Sequence, residues 1–265
     1  MANDHYISRF LTRRWEVDPG RRLHFFDFET STFGSDGSKA LFADEGLHSK
    51  ETGETMCRFV EQPIAQLLRQ LEKNPRASLA DPEDWRTFRA LAALHSLQVQ
   101  RLLEARGGGG DLAMTLDQFL GDGESAIDAV GHFARERFHM YVVTVPLHEG
   151  LFFTEAAYFP IATVGAVFLA LPLSPQHFMT LAPHTVEESA ISEVLQTPSL
   201  ISGLSIGIGT NVLRVVLPPA MIPADEAEAE TKRQGILLMR SSARRFVELL
   251  GRASAIAGLD SWTVP

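Results

Sequence analysis

Phe138-His139-Met140-Tyr141-Val142-Val143-Thr144-Val145, Leu151-Phe152-Phe153-Thr154, Val164-Gly165-Ala166-Val167-Phe168-Leu169-Ala170-Leu171 and His177-Phe178-Met179-Thr180-Leu181 are short apolar runs rich in β-branched and aromatic residues. They are separated by Pro, Gly and His148-Glu149-Gly150 turns. Such runs read as strands of an antiparallel meander. Before and after them the period changes. Met56, Phe59, Val60, Ile64, Leu67, Leu68 and Leu71 recur at three and four, which lays one apolar stripe along a helix that Pro63 kinks or restarts. Asp81-Pro82 caps a second helix carrying Trp85, Phe88, Ala92, His95, Val99 and Leu102, and 83–105 is expected to be helical. Glu226 to Ala257 forms a long terminal helix with Ile236, Leu237, Met239, Ala243, Phe246 and Leu250 inward. Arg21 to Glu29 is an early strand followed by a polar Gly/Ser/Asp loop, and Asn211 to Leu217 is a further strand. The class is therefore α+β, a mainly antiparallel sheet packed against several helices. A single domain over 1–265 is expected, with a helical part over 1–137, a β-rich part over 138–220 and a terminal helix over 226–257.

A chain of 265 residues with 45% hydrophobic content has ample material for a large core. Its formal charge of −9 excludes a surface built throughout to grip polyanions, so any such site must be local. The ends supply the basic groups: five arginines lie within residues 1–22, and Lys232, Arg233, Arg240, Arg244, Arg245 and Arg252 stand on the terminal helix. The lone Cys57 excludes an internal disulfide and fits a reducing compartment. No apolar segment follows the start Met1-Ala2-Asn3-Asp4-His5, so a cytoplasmic location is expected. Ala156 to Gln176 is uncharged and long enough to span a bilayer, but Pro160, Gly165, Pro172 and Pro175 interrupt it and no membrane partner is expected.

Motifs for familiar chemistry fail on context. Gly203-Leu204-Ser205-Ile206-Gly207 has the spacing of a nucleophile elbow, yet the last histidine of the chain is His184, so no base follows Ser205. The overlapping glycines make a broken dinucleotide fingerprint, and Gly107 to Gly110 lacks the Lys-Ser/Thr ending of a phosphate loop. No histidine pair has the i, i+4 spacing of a helical zinc site; His132 and His139, and His177 and His184, stand seven apart, but His139 and His177 begin strands. Asp117, Asp122 and Glu124 lack the calcium-loop pattern. No metal site is assigned and no cofactor is identified.

The opening His5-Tyr6-Ile7-Ser8-Arg9-Phe10-Leu11-Thr12-Arg13-Arg14-Trp15 is unusually dense in titratable, aromatic and guanidinium groups. It resembles the His-Tyr-Val/Ile-Pro-x-Phe signature that opens the bacterial domain-of-unknown-function 4238 family, with Ser8 in place of proline and Thr12 in place of leucine. Phe25 to Glu29, Glu61 with Ala65, Ala92 to Arg101, Pro172-Leu173-Ser174-Pro175 and Ser242 to Val247 are similar to the family's later landmarks in the same order. Thr154-Glu155-Ala156-Ala157-Tyr158-Phe159-Pro160 departs from the family's Thr-Ser-Asp-Asn-Pro element. The resemblance implies that His5, Tyr6, Arg9, Glu61 and Arg101 meet in space. On that reading Tyr6, Arg9, Arg13 and Arg101 bind an anionic ligand or nucleic acid at a local basic patch, and His5 and Glu61 are the groups able to move a proton. Two alternatives stay open: phosphoester or nucleic-acid hydrolysis at the same site, and a structural role in which these side chains anchor the N-terminal segment.

Overall fold

The structure, a computed structural model, describes residues 3–5, 7–17, 20–45, 49–73, 138–145, 150–154, 159–163, 166–187 and 212–256, with isolated positions at 125, 128, 129 and 189. The chain opens with β1 (Asn3–His5), the short helix α1 (Arg9–Thr12) and a 3-10 turn over Arg13–Trp15. Then come β2 (Arg22–Asp27), β3 (Thr32–Gly37) and β4 (Ala43–Glu45), the last pairing antiparallel with β1 so that His5 stands opposite Ala43. The part expected to be helical thus contains four strands. The polar stretch after β2, expected to be a loop, is in fact the second arm of a hairpin. Asp27 Oδ1 accepts from the amides of Glu29 (2.9 Å) and Thr30 (3.1 Å), closing the turn. Gly34 pairs with Phe25, and a Cβ on Gly34 would lie 2.6 Å from the Phe25 ring, so this glycine lets the aromatic lie across the neighbouring strand.

Helix α2 (Lys50–Met56) starts at Ser49, whose hydroxyl accepts from Thr52 N at 3.1 Å. A π-helical turn follows over Cys57–Glu61, and α3 runs over Gln62–Lys73. Pro63 accounts for the irregularity: it has no amide hydrogen and its ring collides with the carbonyl four residues back in a regular helix. The expected restart therefore takes the form of a widened turn. The added residue rotates the stripe, so Met56, Val60, Ile64, Leu67 and Leu68 are buried while Phe59 stays half-buried beneath the Arg58 guanidinium, 5.0 Å from its ring.

The β-rich part divides between two sheets. β5 (Phe138–Thr144), β7 (Phe159–Thr163), β8 (Ala166–Ser174) and β9 (His177–Pro183) form an antiparallel sheet in the order β5-β9-β8-β7. β6 (Phe153–Thr154) leaves them and joins β10 (Arg214–Val216), β2 and β3 in the order β3-β2-β10-β6. A single meander was expected; alternation reveals a strand but not its partner. The strand expected from Val164 to Leu171 is β8, β7 before it was not expected, and Pro160 is tolerated because β7 lies at the sheet edge. The uncharged 156–176 stretch thus contributes to β7 and β8, and among the described residues no helix is long and apolar enough to cross a membrane.

Helix α4 (Glu226–Ile256) closes the second sheet. Asp225 Oδ1 accepts from Glu228 N at 2.8 Å, and Glu228 accepts from Ala224 N at 2.7 Å, a reciprocal cap on the helix start. Ile236 enters the cluster of Phe26, Phe28, Phe152, Val212, Val215 and Leu217, with Leu237 and Met239 at its margin. Arg240 lies 3.8 Å over the Phe28 ring and donates to the Val212 carbonyl at 3.2 Å. The helix expected over 83–105, the glycine-flanked Ser205, His132, His148, Asp117, Asp122, Glu124 and Glu155 lie outside the described residues.

Gly150 has φ +55°, and a Cβ there would stand 2.6 Å from the Pro218 side chain. Left-handed strain and overpacking act together in Gly150→Ala, which should lose about 2–4 kcal/mol of stability in urea unfolding at an unchanged m-value.

Candidate functional site at the N-terminal arginine segment

Ile7, Leu11 and Trp15 recur every four residues and are all fully buried, which fixes the inward face of α1 and its 3-10 extension. Trp15 donates its indole N–H to the Leu151 carbonyl at 2.7 Å, and its ring meets Phe153 at 4.9 Å between centroids. With that face inward, Arg9 and Arg14 emerge half-buried and Arg13 is exposed.

Each of the two half-buried arginines is held by a different element. Arg9 Nε donates to Ser38 Oγ at 3.4 Å, and the Ser38 hydroxyl in turn donates to Glu16 Oε1. Burial and the neighbouring Arg13 lower the Arg9 pKa, and Glu16 opposes them. The carboxylate acting on Arg9 is therefore Glu16, from the same segment, through a buried serine. Arg14 Nη2 donates to the Ala65 carbonyl of α3 at 3.3 Å, one turn beyond Glu61. Burial and the exposed Arg69 on α3 both lower the Arg14 pKa.

A buried polar pair stands at the turn between β8 and β9. Ser174 Oγ accepts the amide hydrogens of Gln176 (3.2 Å) and His177 (3.0 Å), and stands 2.8 Å from His177 Nδ1. His177 is 3% exposed, and its Nε2 is buried without a hydrogen-bond partner. Burial, and then Arg14, lower its pKa from the ordinary value.

Of the residues singled out from the sequence, Arg9 and Arg13 stand as neighbours on one helical segment, and Arg14 ties that segment to the helix that follows Glu61. Glu61 closes the π-helical turn, half-buried. The backbone of His5 lies in β1, while Tyr6 and Arg101 fall outside the described residues. Sequence reasoning missed the roles of Glu16, Ser38, Arg69 and the Ser174–His177 pair. The last left a signal, a serine three residues before a histidine across a proline turn at the head of a strand. Among the described residues no group of three or more His, Cys, Asp or Glu could hold a metal ion. No family model, no curated protein and no solved structure matches the chain.

Trp15→Phe keeps most of the apolar contact but leaves the buried Leu151 carbonyl without its donor. The expected loss is about 1–3 kcal/mol by chemical denaturation.

Proposed function

We propose that this chain is an anion-recognising domain whose binding face is the arginine segment Arg9, Arg13 and Arg14 together with Arg69. The observation that carries the reading is the gathering of these like charges across two docked elements in a chain of net charge −9. Arginines that repel one another cost stability, and a bound phosphate or carboxylate removes that cost. Guanidinium forks suit oxyanions, and nucleic acid is the polyanion that best fits a short local run of arginines. His5, Tyr6 and Arg101 join this face if the resemblance of the opening segment to the domain-of-unknown-function 4238 family holds for them.

Binding of a fluorescein-labelled single-stranded oligonucleotide, read by anisotropy, tests the proposal. Arg13→Ala with Arg69→Ala should weaken binding about tenfold or more and flatten the dependence of log Kd on log salt concentration. Equal affinity in the variant and the parent would end the reading.

Hydrolysis of a phosphoester or nucleic acid at the same face is a second reading, favoured by one observation: Glu61 sits in a π-helical turn, a distortion that recurs at functional sites. If Glu61 is the group that moves the proton, Glu61→Gln abolishes turnover of a phosphodiester reporter while leaving oligonucleotide affinity within about twofold.

A further inference from the structure

The cations of α4 divide by whether a carboxylate meets them. Lys232 is paired with Glu228 at 2.7 Å and Arg233 with Glu230 at 2.8 Å, so both are matched within the first turns of the helix. Beyond them the helix carries Arg240, Arg244, Arg245 and Arg252 against the single acid Glu248. Among the described residues no carboxylate is ion-paired with Arg240 or Arg244, Glu248 included, although it stands one turn past Arg244. Asp27, the residue before Phe28, is already engaged by Arg214 at 3.0 Å.

Arg240 is held in place by neutral groups. Its guanidinium carbon lies 3.8 Å over the Phe28 ring, and Nη2 donates to the Val212 carbonyl at 3.2 Å. Its Nε is buried without a hydrogen-bond partner. A ring face and a carbonyl orient the guanidinium without supplying the opposite charge that an ion pair would. Arg244 stands one turn on and is exposed. Residues four apart on a helix have Cβ atoms about 5–6 Å apart, and long side chains lean toward the helix N-terminus, so Arg244 covers the turn that starts at Arg240. Like charges at that spacing oppose each other. The Arg240 pKa agrees with this geometry, lowered by burial and then by Arg244.

One guanidinium fixed at the margin of the core and a second exposed beside it make a clamp for an oxyanion. A carboxylate brings a single charge and fits one fork. A phosphate monoester brings about −1.5 to −2 at neutral pH and three acceptor oxygens, enough for both arginines. We propose that Arg240 and Arg244 form a second anion site, made of different residues from the N-terminal arginine segment, that takes a phosphate monoester across the two guanidinium groups. Arg240 sets the orientation and Arg244 adds the second charge.

The Arg240 Nε–H resonance reports on the site directly, since its burial protects the hydrogen from exchange. It is identified by its loss in Arg240→Lys and followed in the full chain during titration with inorganic phosphate, ionic strength being held constant with sodium chloride. A saturable shift is expected. In Arg244→Gln, a change at an exposed position, the midpoint should rise about tenfold with the loss of one charge-assisted contact. Arg13→Ala with Arg69→Ala should leave the midpoint within about twofold, so failure here is distinct from failure of anion binding at the N-terminal segment. In that double variant phosphate should still raise Tm, and adding Arg244→Gln should remove most of the rise. A nucleoside monophosphate titrated in parallel separates the sources of the phosphate: equal midpoints assign the phosphate group alone, and a lower midpoint for the nucleotide adds its nucleoside to the ligand. No saturable shift with either compound, the same response to chloride alone, or an unchanged midpoint in Arg244→Gln would overturn the proposal.

Discussion

The peptide group of Leu151 is the point on which the two sheets depend. Its amide donates to the Pro175 carbonyl at 2.8 Å in the turn between β8 and β9, and its carbonyl accepts from the Trp15 indole at 2.7 Å. Two residues later Phe153 is paired with Val216 in the other sheet. One fully buried residue thus has both backbone groups satisfied by different parts of the chain, where an unmade bond would cost about 1–3 kcal/mol. Gly150, with its left-handed φ, supplies the change of direction that lets β6 leave the neighbourhood of β5 and reach β10. Trp15 adds apolar weight to the junction: a buried indole removes roughly 150–250 Å² from water, an upper limit of about 4–6 kcal/mol.

The same anchoring fixes the electrostatics of the N-terminal segment. Because Ile7, Leu11 and Trp15 all face inward, the residues between them have little choice but to present guanidinium groups at the margin of the core. A half-buried arginine needs acceptors, and these two find them on different elements: Arg9 through Ser38 to Glu16, and Arg14 at the Ala65 carbonyl of α3.

Periodicity made much of the fold legible. Short apolar runs between turns located β5, β6, β8 and β9, and period-3.6 recurrence located α3 and α4 with Ile64, Leu68, Ile236 and Ala243 inward. It could not show that Phe153 pairs with Val216 instead of with the sheet beside it, because pairing is decided by distant partners. β3 was hidden for a different reason: Thr32–Gly37 has the composition of a loop, and becomes a strand because β2 supplies a partner and Phe25 covers Gly34. At the site, Arg9 and Arg13 were visible as a density of charge, whereas the route from Arg9 to Glu16 runs through a serine 29 positions away in sequence and leaves no local pattern.

The turn between β8 and β9 connects these themes. Its Pro175 and Gln176 carbonyls accept from Leu151 and Val145 at 2.8 and 2.7 Å, so its backbone serves the junction of the sheets, while Ser174 and His177 of the same turn form a buried polar pair. The two duties use different atoms. The carbonyls that hold β5 and Leu151 do not involve the imidazole, and the ladder joining β8 to β9 continues from Pro172 through Leu169 beyond the bulge near Ser174. The scaffold on either side is closed by its own ladders, seven pairs of β5 with β9 and three of β2 with β10, so the turn carries a buried polar pair without interrupting either sheet.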